Sequence, residues 1–592
     1  MKNIRASLLF ITAALLLGLA LFSAFPHSVT AQGPEKSPDS GQVEVIGQPV
    51  EPVIINVDMN SLPPAQTSRP GQEIPRLTRP PLNPNVPPPA PVVDPLLKAQ
   101  QNAVSYRRDR DFDTTLLNFE GFSESSPPHP PDTVGDVGPN HYIQMTNGGN
   151  TSVMIFDKAG QQIGSTFSLS SLWTAGGNCA TGYGDPIVLY DRLADRWMLA
   201  EFAQNGNHLC IYISQTPDPT AGNWYGYDFT TPDFPDYPKY AVWGDAYYAG
   251  ANEGPAVYAF DRQNMLAGNT ARAMQRFTAP GLSGFGFQML IPGDLDGATP
   301  PPTGAPAHFM RHHDTEAHGN CTDTGSQDCL EIWDFHVDWN TPANSTFARV
   351  QDIAVTEFDS DLCGLSSFNC FPQPGTTQTL DPLREVVMWR LQYRNFGDHE
   401  SLVGNFVTDV DGSDHGGIRW FELRKAGANP WSLYQEGTYA PDLAHRWMGS
   451  IAMDGSGNIA LAYSVSDAVS VYPSIRYAGR LASDSLNALP QGEHTIIAGG
   501  SSQTGVERWG DYNAMSVDPA DDCTFWYTGE YMPASGDWHT RIAAFKFDAC
   551  GSADFPLSAA PPAQEICAPN PVDYTISVGQ VQSYTDQVTL TL

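Results

Sequence analysis

Residues 445–455 read HRWMGSIAMDG and residues 507–519 read ERWGDYNAMSVDP. Arg446, Trp447, Ala452 and Met453 of the first return as Arg508, Trp509, Ala514 and Met515 of the second, 62 positions later. A motif that recurs at such a period marks a chain of small units that must cover one another, because none buries its own apolar faces. Traced backwards, the unit is an apolar strand, a tight polar turn, a second strand rich in aromatic or β-branched residues, a short loop and a third strand. Seven copies are legible: from Asp132, from Asp185, from Tyr240, an insertion-stretched copy between Phe287 and Asp338, one from Val386 to Leu423, and the two quoted segments with the strands after them.

Within the strands the alternation is that of sheets. Ile459, Leu461, Tyr463 and Val465 point one way, and Ala460, Ala462 and Ser464 the other. The expected fold is therefore all-β, a seven-bladed β-propeller; a sandwich or a string of small all-β domains is the competing arrangement.

The ends of the chain differ from this body. Lys2 and Arg5, an apolar run from Leu8 to Phe22 and the small residues Val29-Thr30-Ala31 form the pattern of a signal peptide over residues 1–31. The run is shorter than the roughly 20 residues a membrane span needs, so no transmembrane segment is expected and the mature chain is expected outside the cell or at its surface. Residues 32–110, with SLPPAQTSRPGQEIPRLTRPPLNPNVPPPAPVVDPLL at their centre, read as a Pro-rich disordered spacer. The propeller is placed at residues 111–550. DTTLLNFEGF, from Asp113 to Phe122, has the length and pattern of an outer strand that closes the ring, since the last copy ends at its third strand. Residues 555–592 alternate like strands and resemble the opening of an immunoglobulin-like module, here incomplete.

With 31 basic against 65 acidic residues the formal charge is −34, which repels phosphate backbones and anionic membranes, so nucleic acid is excluded as a partner. The nine cysteines fit an oxidising compartment. If strands alternate in direction around the ring, Cys179 meets Cys210 and Cys523 meets Cys550, while Cys321 with Cys329 and Cys363 with Cys370 are short-range pairs; Cys567 is left over.

PPDTVGDVGPNHYIQ, LADRW, FPDYPKY, YRNFGDHESL, HRWMGSIAMD and RWGDYNAMSVDPADDCTFWY together resemble a family of uncharacterised secreted bacterial proteins predicted to form propellers. The likeness runs from about Pro127 to Cys550. It implies fold and export and brings no activity with it.

In a propeller the segments entering each innermost strand converge at one channel mouth. They hold His129 and Asp132, Asp185, Asp236 and Lys239, His445 and Arg446, and Arg508 with Asp511. These are ligand-site candidates; in the structural alternative, the Arg-Trp pairs clamp neighbouring blades. Along MWRLQYR, Arg390, Gln392 and Arg394 share one side, either as a cationic wall for an anionic ligand or as part of a buried ion-pair ring. Asp409, Asp411 and Asp414 in DVDGSDHGG set carboxylates around a glycine turn in the manner of a calcium loop, without the bidentate glutamate of an EF-hand. RHHDTEAH lacks HExxH spacing and reads as a solvated loop rather than a zinc site. GxSxG, a phosphate loop and a sialidase Asp-box are all missing. The functional expectation is a monomeric binding or scaffold module for a glycan or surface protein, with a polysaccharide hydrolase or lyase, or a structural envelope component, as the alternatives. Calcium is the one cofactor suggested.

Overall fold

Each sheet begins with a short strand whose neighbours are the first strands of the sheets before and after it. In the computed structural model, which describes residues 41–65, 93–103, 111–123, 127–148, 150–204, 206–284, 287–365, 367–551, 557–560 and 575–578, these first strands can be followed in chain order. They are β1 (Val134–Val137), β2 (Gly182–Asp191), β3 (Lys239–Val242), β4 (Ile291–Asp296), β5 (Leu391–Asn395), β6 (His445–Met453) and β7 (Ala514–Val517). Later strands add behind each one, antiparallel and in sequence order, so that β6 is followed by Ile459–Ser466, Ser474–Arg480 and Glu493–Ile497. β4 and β5 pair in parallel and fuse two such sheets. Each first strand touches the next, and β7 touches β1 again.

The alternation of the sixth sheet shows what holds the sheets together. Ile459, Leu461 and Tyr463 join Val403, Ile418 and Trp420 of the preceding sheet in one apolar cluster. Ala460 and Ala462 join Met515, Val517 and Tyr527 of the following sheet in another. Neither face meets water, and each fully buried Leu or Ile contributes about 1.5–3 kcal/mol relative to exposure. The small residues on one face and large ones on the other let adjoining sheets approach unequally without leaving voids.

The fold is all-β, and the longest helix among the described residues is Leu97–Asn102. No helix of the described residues is long and apolar enough to cross a membrane. The four expected cysteine pairs are bridged: Cys179–Cys210, Cys321–Cys329, Cys363–Cys370 and Cys523–Cys550. Leu117–Ser123 pairs with His539–Phe545 and completes the last sheet, overlapping the stretch Asp113–Phe122 read as its outer strand and running one residue past it.

Part of the stretch read as a spacer belongs to the folded body. Glu44–Ile46 pairs with Met274–Thr278 as the outer strand of the third sheet, and Val53–Asn56 pairs with Asn223–Thr230 as that of the second. Both are short apolar runs between prolines, and both cover sheet edges that would otherwise present unpaired backbone groups. Farther along, the carboxylate of Asp94 accepts from Arg419 at 2.9 Å and from Thr438 at 2.7 Å, all three buried. Residues 1–31, read as a signal peptide, most of the proline-rich run and Cys567 lie outside the described residues. Of the tail, Leu557–Ala560 and Thr575–Val578 form one antiparallel pair.

Candidate functional site

Four consecutive sheets bring polar side chains to one place because the residue just before or at the start of the first strand turns the chain inward. Asp132 (φ 46°), Asp185 (φ 50°), Tyr237 (φ 55°) and Asp511 (φ 74°) all occupy the left-handed region that favours glycine. Aspartate tolerates it best among side chains that carry a charge. The turns aim Asp132, Asp185 and Asp511 at Lys239, the first residue of β3, and Arg508 stands beside Asp511.

The contacts are specific. Asn147 bridges two of the acids, donating its side-chain amide to Asp132 at 2.8 Å and accepting the Asp185 backbone N–H at 3.1 Å. The Tyr512 hydroxyl donates to Asp185 at 2.6 Å, and the Tyr237 hydroxyl to the Asp511 carbonyl at 3.0 Å. The Lys239 ammonium lies 3.5 Å from the Tyr237 ring centre and also over the Tyr512 ring. Glu530 accepts the Gly510 N–H at 2.7 Å. Asp132 Oδ1, Lys239 Nζ, one terminal nitrogen of Arg508 and Glu530 Oε1 are all buried and make no hydrogen bond within the protein.

Burial dominates the electrostatics here. It pushes the Asp132 carboxyl well above the usual carboxylate range, with repulsion from Asp185 and Asp511 adding to it. Asp185 and Glu530 are raised for the same first reason, and Lys239 is driven well below its ordinary value by loss of water although acids surround it. Burial also opposes the charge of Arg508, but the carboxylates of Asp511, Asp381 and Asp132 outweigh it and hold the guanidinium protonated. A group of this kind can donate and accept hydrogen bonds over a small area, and a protonated Asp132 can give up a proton.

The remaining candidates lie elsewhere. Arg390 is spent on Asp136 at 2.7 Å and Asp294 at 2.9 Å, and Arg394 on Asp522 at 2.7 and 2.9 Å. They belong to a buried polar ladder in which first strands also bond across sheets: Asp136 accepts from Tyr190 N–H, Asp294 from Val242 N–H, and Gln392 from Met453 N–H. This is the ion-pair arrangement, not a free cationic wall. Arg446 is buried, at 2.8 Å from Glu493 and 2.9 Å from Asp442, away from the Asp132 group. His445 meets Phe371 at a tilt and His415 edge to face, and burial lowers it to about 4.

The proposed calcium loop is closed by its own backbone. Asp409 accepts from the N–H groups of Asp411, Gly412 and Asp414, Asp411 from that of Ser413, and Asp414 from that of Cys363. Among the described residues, groups of three possible ligands within 4.8 Å occur at His313, Cys321 and Cys329, whose cysteines are bridged, and at Asp314, Glu316 and Asp328. Asp409, Asp411 and Asp414 are not so gathered. The histidine loop is buried rather than solvated: His313 sits 2.9 Å from Glu331 and 2.7 Å from the Gly319 carbonyl, and His312 packs on Phe406.

Tyr237, Tyr512, Asn147 and Glu530 are absent from the sequence candidates. The dipeptide Asp-Tyr, present as Asp236-Tyr237 and Asp511-Tyr512, was the signal for two of them.

No family model matches the chain, and no curated protein matches it. Among solved structures it is similar to a protein of unknown function from Dyadobacter fermentans, at 8% identity over 73% of this chain and 99% of that one, with a TM-score of 0.35. A fungal alcohol oxidase of the AA5 family in complex with copper shares 9% identity over 76% and 81% of the two chains, with a TM-score of 0.40. The WD40 domain of SCAP from fission yeast shares 8% over 71% and 96%, at 0.32. Propeller proteins are thus among the neighbours, and at these TM-scores none carries an argument about the site.

Proposed function

We propose that the ring of first strands belongs to a seven-bladed β-propeller, exported by a bacterial cell, that acts as a binding or scaffold module with a glycan or surface protein held at one mouth of its channel. The tail would begin an immunoglobulin-like module. Four disulfides are in keeping with an extracellular site of action. The observation that carries the reading is the meeting of Asp132, Asp185, Lys239, Arg508 and Asp511, with buried polar atoms on three of them left without partners. An unsatisfied buried donor or acceptor costs about 1–3 kcal/mol, a cost that ligand hydroxyls would remove. Left-handed backbone at four neighbouring strand entrances adds local strain of the kind that gathers at functional sites.

Screening the secreted protein on a glycan array tests this. The expected result is retention of a glycan with no product released, and a loss of at least about tenfold in affinity for Arg508→Ala at unchanged fold. A second reading, a polysaccharide hydrolase, is favoured by the proton that burial keeps on Asp132, as a general acid requires. Reducing-sugar release abolished by Asp132→Asn would select it; retention of nothing on the array, with no sugar released, would end both glycan readings and leave a surface protein as the ligand.

A further inference from the structure

The Asp132 group is sealed. Asp132, Lys239, Arg508, Asp511 and Glu530 are all buried, so a ligand reaches them only if some part of the chain moves aside. The part seated beside Arg508 comes from the connection between the strand Thr346–Ala354 and β5 (Leu391–Asn395). Ordinary connections span about 4–6 residues, and ones as long as this are functional or unstructured. Within it, Phe371 and Leu380 exchange both backbone hydrogen bonds, at 3.2 and 2.9 Å, and both are 0% exposed. They close the base of a loop, residues 372–379, that reads PQPGTTQT. Phe371 fixes that base: it packs edge to face on Trp447, and at Gly416 any Cβ would collide with its ring.

The loop carries no large apolar side chain and is tied down by hydrogen bonds. Gln373 forms an amide pair with Gln503, donating to its carbonyl at 3.0 Å and accepting its N–H at 2.8 Å. Ser502 donates to the Pro374 carbonyl at 2.7 Å, and Ser466 to that of Pro372. Gly375 and Thr377 at the tip are exposed. Gln503 is the link to the buried group, because its side chain donates to the Arg508 carbonyl at 2.7 Å and stands beside His129. Next to the base, the Asp381 N–H donates to the Glu507 carbonyl at 3.0 Å, so the loop is seated along the segment that delivers Arg508. Such hydrogen bonds are exchanged for bonds to water at small net cost, whereas lifting an apolar element would uncover a core. We infer that residues 372–379 are a lid, which swings on the Phe371–Leu380 pair, releases Gln503 and admits a ligand to the Asp132 group. This rests on the reading of that group as a glycan site, whose access the lid sets. While the lid is mostly shut, the observed affinity is reduced by the fraction of molecules that are open.

The test compares the full chain with a variant in which residues 372–379 are replaced by an Asn-Gly turn, a two-residue hairpin that keeps the Phe371–Leu380 pair. Lys239 is the probe, because burial drives its amine toward the neutral, nucleophilic form. Acetic anhydride, read out by mass spectrometry, should acetylate Lys239 at least about tenfold faster in the shortened variant, since the lid no longer limits the open fraction. Association of the glycan that the full chain retains should quicken by at least about the same factor. Faster acetylation with no glycan retained by either protein upholds the lid and overturns the glycan reading. Equal acetylation, with both proteins folded by circular dichroism, overturns the lid whatever the glycan does. Should the shortened variant fail to fold, Gln373→Ala, which removes only the amide pair, is expected to quicken acetylation in the same direction, and an unchanged rate there overturns the lid as well.

Discussion

Arg446 and Arg508 begin the same motif in neighbouring sheets and end in different places. Each is followed by a fully buried tryptophan, and the rings of Trp447 and Trp509 lie 6.1 Å apart between the two sheets. Three residues after Arg508 stands Asp511, which turns the guanidinium inward. Three residues after Arg446 stands Gly449, where any Cβ would collide with the Asn405 amide, so no acid can take that position. Arg446 therefore turns to Asp442 and Glu493 and ties its own sheet together. A repeat carries the packing role from copy to copy, and one residue beside it decides whether the same arginine serves structure or site.

The largest effect expected from this contrast is on stability. Arg446→Ala leaves the largely buried Glu493 short of its main partner, while Asp442 is exposed and keeps water, and denaturant unfolding should register a loss of about 3 kcal/mol, at the low end for a broken buried pair because Arg476 still reaches Glu493 at 2.8 Å. Arg508→Ala should cost less stability, since Asp511 lies among groups already shifted toward neutrality. Equal losses would erase the distinction.

Next in size is Gly449→Asp, which supplies the sixth sheet with the acid that the seventh has. Overpacking against Asn405 and Ile418 should lower stability by about 1–3 kcal/mol without drawing Arg446 inward, so ligand affinity should stay the same. A gain in stability would show that the sheet has room for the second acid after all.

The smallest effect is in the pH profile, and the two regions should respond with opposite sign. Asp132 titrates above its ordinary range in the fold, so what it contributes is complete below the ordinary carboxylate pKa and is lost as pH rises through the raised value. Burial opposes the charge of Glu493, but Arg446 and its other partners hold it below its ordinary value, so its contribution is present above that value and is lost as pH falls through the depressed one. Thermal melts across pH should flatten on the alkaline side for Asp132→Asn and on the acid side for Glu493→Gln. Flattening on the same side for both would contradict the assignment.

The strands were readable because period-two alternation records which side chains a sheet must bury, as Ile459 to Val465 illustrate. Two of the cysteine pairs, Cys179–Cys210 and Cys523–Cys550, followed from alternating strand direction, and the other two from short spacing. Part of the Asp132 group was readable too, since the segments entering first strands have to converge. Tyr237, Tyr512 and Asn147 were not, because an aromatic or amide beside a strand looks alike whether it packs or binds. Nor was the fate of Glu44–Ile46 and Val53–Asn56, since a short run between prolines gains a partner only when a sheet edge elsewhere in the chain lies open.

By itself, then, the order of residues determined repeated β-units, their disulfides and part of the set of polar groups that meet, among them Asp132, Asp185, Lys239, Arg508 and Asp511. The tertiary structure alone decided which arginine has an acid within reach, which carboxylates close on their own backbone as Asp409 does, and which buried oxygens stay free as Asp132 Oδ1 does. The reason is physical: burial and packing reach through space across sheets, and the charge state and the partner of a polar group depend on neighbours that sequence spacing does not name.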